Sequence, residues 1–161
     1  MMNLQEEILK IKNEMIDEFD KRVEALKEEE QEFPQDGDVY WYIDSDGDVL
    51  NDEWGGFASE EGMLEIGNIF KAKDQAEFAV EKLKVEAELR KFGRPFECGK
   101  VNHCLLYDTD SDYLEFDIRN YYMTQGSIYF ESAEKVRQAI SEIGEERIKK
   151  YIFGVEDLIN D

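Results

Sequence analysis

Three groups of side chains in this sequence have the types and spacing to do chemistry. Asp44, Asp46 and Asp48 alternate around Gly47, and Asp108, Asp110 and Asp112 repeat the arrangement 64 residues later. Alternating carboxylates hold hard cations such as calcium, or clamp two metals for phosphoester hydrolysis. Cys98, His103 and Cys104 form the third group and supply three of the four ligands that a closed zinc site needs.

Each chemistry fails on detail. A calcium-binding EF-hand loop places glycine sixth and a bidentate glutamate twelfth. Counted from Asp44, those places hold Val49 and Gly55, and counted from Asp108 the sixth is Tyr113. The cysteines lack a Cys-x-x-Cys pair, although an Asp is available as a fourth ligand. Two-metal hydrolysis usually also calls on His or Lys beside the metals, and His103 is the one histidine. A nucleophilic Ser or Cys needs a nearby base, and only His103 is on offer. Gly55-Gly56 lacks the Lys-Ser/Thr of a phosphate-binding loop. Tyr40, Tyr42, Tyr121 and Tyr122 suit a base-stacking platform by type, but no basic groove accompanies them. No catalytic residue, metal or cofactor is expected. The aspartates read as turn formers, whose short side chains bond nearby backbone.

The elements around these residues follow from periodicity. Tyr40-Trp41-Tyr42-Ile43 is β-prone, Asp44 to Asp48 turns, and Val49-Leu50 returns, which makes a hairpin. Phe57 to Ile66 reads as a loop with a turn of helix at Ser59-Glu60-Glu61. Ile69-Phe70 is a short strand, and Ala76, Ala79, Val80, Leu83 and Ala87 recur at helical spacing up to Gly93-Arg94-Pro95. The same order returns: His103 to Tyr107, the alternating Leu114 to Ile118, Ile128 to Phe130, then a helix from Ala133 to Ile143 capped by Ser132. Gly144 stops that helix, and Glu145 to Phe153 makes another. Phe70, Ala76, Ala79, Val80 and Leu83 match Phe130, Val136, Ala139, Ile140 and Ile143 at an offset of 60. The change of offset places four extra residues in the first connecting loop, where insertions are tolerated.

Leu4, Ile8, Ile11, Met15, Phe19, Val23 and Leu26 form one apolar stripe on a charged helix free of Gly and Pro. The narrow stripe suits a coiled-coil seam, with a departure from the strict heptad at Met15, Phe19 and Val23. Pro34 sets the boundary. The expected organisation is α+β. A long N-terminal helix of coiled-coil type (residues 1–33) is the expected dimerisation arm. A domain of two pseudo-repeated β-β-β-α units with antiparallel strands (38–161; units about 40–92 and 103–153) follows it.

The 161 residues carry a net charge of −21. Residues 34–70 hold ten acids and no Lys or Arg. A field of one sign steers a partner of the other and repels nucleic acid. No apolar run is long enough to span a membrane, and no signal-peptide pattern opens the chain. Two cysteines are too few for a disulfide framework. A cytoplasmic location is expected.

Tyr40 to Gly47, Gly67 to Lys73, Ala76 to Val85 and the tail Ile143 to Val155 resemble a family of small proteins encoded by phages and prophages of Firmicutes. The family usually has Thr at Ala72 and a Trp/Asn-rich connection at Phe96 to Asn102. The resemblance implies a phage-derived accessory protein and no particular chemistry. With the charge, it leads to an expected non-enzymatic inhibitor of a host nucleic-acid-handling defence enzyme, such as a CRISPR effector nuclease in the host cytoplasm. The inhibitor imitates DNA and binds a basic protein surface through Asp44, Asp46, Asp48, Asp52, Glu53, Glu60 and Glu61, extended by Asp108, Asp110 and Asp112. A homodimer is expected. The alternatives are an assembly protein acting through its arm and a metal-dependent hydrolase using the Asp clusters.

Overall fold

The structure is a computed structural model, and it describes residues 4–30 and 32–155. The chain is α+β, with two small antiparallel sheets. α1 (Leu4–Glu30) comes first, followed by the hairpin β1 (Val39–Ile43) and β2 (Val49–Glu53). Next come α2 (Ala58–Glu65), α3 (Lys73–Phe92), β3 (Asn102–Asp108), β4 (Tyr113–Arg119), β5 (Tyr129–Phe130), α4 (Ala133–Ile143) and α5 (Glu145–Phe153). The side chains of Leu4 and Leu26, and the end of the expected domain at 156–161, lie outside the described residues.

β1 and β2 pair with Tyr40 opposite Asp52 and Ile43 opposite Val49. The expected third strand of this unit is reduced to one bridge: Phe70 exchanges two backbone hydrogen bonds of 2.8 Å with Trp41. The second sheet has the order β4-β3-β5, with Phe130 opposite His103. β3 is thus the central strand of the second sheet, and β1 likewise carries both β2 and the Phe70 bridge.

The main core lies between β3, β4 and the helices. Val85 and Leu89 of α3, Leu114 of β4, Phe130 of β5, Val136, Ala139 and Ile143 of α4 and Ile148 of α5 are buried together. Leu105 and Tyr107 face the same core, as the two-residue period of a strand requires. α3 also contacts β1 and β2, so it serves both sheets. A smaller cluster gathers Tyr40 and Trp54, whose rings meet edge-on with centroids 5.9 Å apart.

The sequence reading is corrected at two places. The stretch after Gly55-Gly56 is a two-turn helix, α2, rather than a loop with one turn. Leu83, matched with buried Ile143, is exposed. On α1, Ile8, Leu9, Ile11, Met15, Ile16 and Phe19 are all exposed.

Candidate functional site

The acidic hairpin is built from its turn outwards. Asp44 turns its carboxylate back on the chain, and one oxygen accepts from the N–H groups of Asp46 and Asp48, each at 2.9 Å. Gly47 takes φ +85°, where a side chain would be strained. With Asp44 holding the loop, the side chains of Asp46 and Asp48 point to solvent. Asp52 and Glu53 follow on β2, also exposed. Adjacent strand residues point to opposite faces, so these two acids flank the ribbon rather than share one side. Glu61 and Glu65 add exposed carboxylates from α2.

Among the described residues no ion pair involves residues 34–70. The cation seen against the hairpin is Lys73, whose ammonium lies 5.8 Å from the Trp41 ring centroid.

Glu60 is the exception, and its expected place on the partner surface is corrected. It is 5% exposed. Its carboxylate accepts from the Phe57 N–H at 2.8 Å, the Gly55 N–H at 3.1 Å and the Tyr40 hydroxyl at 3.3 Å. It caps α2 from the third helical position and fastens the helix to β1. Burial, with the Glu60 charge beside it, pushes the Tyr40 phenol up to about 12. Tyr40 is thus a core residue rather than an exposed stacking ring.

The second aspartate turn is tied down. Asp108 accepts from the N–H groups of Asp110 and Ser111, and those bonds hold its carboxyl below the usual range. Asp112 has φ +51°, a conformation that aspartate tolerates. It accepts from the Tyr107 hydroxyl at 2.9 Å and lies 3.2 Å from the Lys149 ammonium, which keeps it ionised to lower pH. Lys149, 5% exposed, also reaches Glu145 at 3.1 Å and Glu146 at 3.3 Å. Burial alone would lower its pKa, but these contacts outweigh burial and raise it. Asp110 alone of the three stays exposed without such ties.

The zinc-type residues point apart. Cys98 is exposed, while Cys104 is buried with its sulfur 3.8 Å from the Asp117 carbonyl. His103, next along β3, projects to the opposite face and packs on Phe116, with ring centroids 5.4 Å apart. Its Nδ1 is buried without a hydrogen-bond partner. Among the described residues no three of His, Cys, Asp and Glu come together in a group able to hold a metal ion.

No protein-family model, curated protein or solved structure matches this chain. No described helix is long and apolar enough to cross a membrane.

On α1, Ile8, Ile11, Met15 and Phe19 line one shallow apolar groove with Lys12 and Ile16, and Val23 is half-buried. Sequence reasoning missed Glu60 as a cap, and with it Lys149 and Asn102, the polar residues that fix the loops. Glu60 had a signal: it stands third after Phe57, the capping spacing, in a stretch with no cation to pair it.

Proposed function

We propose that this protein is a non-enzymatic acidic binding protein, which occupies the basic nucleic-acid site of another protein with its first hairpin and α2. Asp46, Asp48, Asp52, Glu53 and Glu61 make the contacts, and Asp110 extends them. The observation that carries this reading is the acidic stretch 34–70, ten acids with no base and, among the described residues, no ion pair; one of them, Glu60, is turned inward. Exposed carboxylates in the turn, at the end of β2 and on α2 give a basic groove a surface of one negative sign, as a nucleic-acid backbone does. The target class is a host nucleic-acid-handling enzyme, such as a CRISPR effector nuclease, and phage origin and a cytoplasmic location belong to the same proposal.

The two β-β-β-α units are read as copies of one ancestor. Their shared strand order and the buried pair Ala76 and Val136 support that reading. Both copies bind their first turn acid, Asp44 or Asp108, to the backbone; the first leaves Asp46 and Asp48 to solvent, while the second ties Asp112 to Tyr107 and Lys149. A homodimer through a coiled-coil-type pairing of α1 completes the proposal, supported by the exposed groove.

A second reading, an assembly protein acting through α1, rests on the same groove. Capture from a bacterial lysate separates the two. The acidic-surface reading predicts a basic nucleic-acid-binding protein, released by salt and by competing duplex DNA. Recovery of the same partners regardless of salt and DNA would reject it in favour of assembly.

A further inference from the structure

We infer that α1 pairs with a second copy of itself in antiparallel fashion, about a two-fold axis beside Met15. This rests on the homodimer proposed above and specifies its direction and register. The groove on α1 is lined by Ile8, Ile11, Met15, Ile16 and Phe19, all exposed. Measured from Met15, the stripe steps to Ile11, Ile8 and Leu4 at 4, 7 and 11 residues, and to Phe19, Val23 and Leu26 at 4, 8 and 11. A pattern that reads nearly the same in both directions is self-complementary under a perpendicular two-fold. Around the axis Met15 meets Met15 and Ile11 meets Phe19, while Ile8 meets the Arg22–Val23 step of the second copy.

Charge decides the direction. Arg22 stands seven residues after Met15 and shares its face. In a parallel, in-register pair, Arg22 would face Arg22. In the antiparallel pair it lies over Ile8 and beside Glu7 of the second copy, where its aliphatic stem packs and its head finds a carboxylate. Along one flank, antiparallel pairing sets Glu7 near Lys21 of the second copy, and Glu14 comes near its own counterpart, each held within its own chain by Lys10 at 3.7 Å. All of these side chains are exposed.

The globular parts point the same way. Each chain continues from the C-terminal end of α1 into the ten acids of residues 34–70. Parallel arms would bring these two regions side by side. Antiparallel arms separate them by about 40 Å at 1.5 Å per residue. That is several Debye lengths at ordinary salt, ~10 Å at 0.1 M. One dimer then presents an acidic hairpin at each end and engages two basic sites at once.

Disulfide trapping in the full-length protein tests this. Ile8→Cys and Arg22→Cys chains are made in a Cys98→Ser background, since Cys98 is the exposed thiol. Oxidising the mixture should give the heterologous linked dimer, and oxidising either chain alone should give none. In the antiparallel pair, like positions lie about 21 Å apart at 1.5 Å per residue. Self-linking of either chain alone, or a dimer that links in neither experiment, overturns the antiparallel register. Light scattering on the unmodified chain, with Phe19→Glu as the variant that disrupts the seam, reports the dimer separately. A monomer at every concentration would overturn the homodimer itself.

Discussion

At Glu60 the chain sets a buried carboxylate among N–H and O–H donors, with no cation beside it. Removing it leaves the Gly55 and Phe57 amides and the Tyr40 hydroxyl without acceptors. Glu60→Ala should cost about 2 kcal/mol in denaturant unfolding, within the range for stranded buried donors. Asp48→Asn, at an exposed carboxylate of the hairpin turn, should stay within about 0.5 kcal/mol. Equal effects would mean that Glu60 holds nothing. Tyr40 gives a pH test of the same corner. Its phenol titrates at about 12 in the folded protein against an ordinary 10.0, so folding favours the protonated form. Its contribution is complete below pH 10 and disappears as pH rises through 12. Tyr107 and Tyr113, bonded to Asp112 and Glu115, are also raised, so tyrosinate absorbance should show a late component that Tyr40→Phe shrinks by one phenol, and an undiminished component in the variant would contradict the assignment. Turn chemistry was legible at this scale: Asp44 was read as a turn former and it is one. Glu60 was not, because its capping partner is Phe57 rather than Ser, Thr, Asn or Asp, and the usual signature depends on those side chains.

Elements with local stop signals were the easiest to read. α4 and α5 begin and end where Ser132, Gly144 and Gly154 stand, because the Ser132 hydroxyl accepts from the Lys135 N–H and the two glycines take positive φ. α2 was missed because its sequence, Ala58 to Glu65, has few apolar residues, and the Glu60 carboxylate supplies what periodicity does not. The third strand of the first unit shrinks to the Phe70 bridge because its pairing surface is the single residue Trp41. The connection from Arg94 to Val101 has no periodicity at all, and one buried side chain organises it. Asn102 accepts from Arg94 and from the Glu97 N–H, and its amide donates to the carbonyls of Glu97, Lys100 and Arg119, all at 2.9 Å. Asn102→Ala should cost about 3 kcal/mol, the upper end for a buried polar group that strands its partners. Hydrogen exchange at the Glu97 amide should accelerate more than at β4. Uniform acceleration would show that Asn102 supports the whole sheet rather than this loop.

On the scale of the molecule, charge is the property that sequence made plainest and folding refined. The total of −21 was readable at once. Which acids are left free was not, since buried Glu60 and exposed Asp112 are indistinguishable from Asp48 until the chain brings Tyr40 to the one and Tyr107 and Lys149 to the other. The fold sorts the two aspartate turns into one that is open and one that is tied to α5. Like charges crowd on the open one, so neutralising them should relieve repulsion and leave stability unchanged or slightly higher. This makes loss of binding separable from loss of fold.

The most direct test replaces the open face alone: Asp46→Asn, Asp48→Asn, Asp52→Asn, Glu53→Gln and Glu61→Gln, with Asp44 and Glu60 kept because they hold the turn and α2. Its binding to the basic protein captured by the unmodified chain is measured at matched salt, alongside its melting temperature. The account predicts a melting temperature no lower than that of the parent and an affinity weaker by about a hundredfold or more, a few kcal/mol of lost charge pairing. An equally stable variant that binds as tightly as the parent would contradict it.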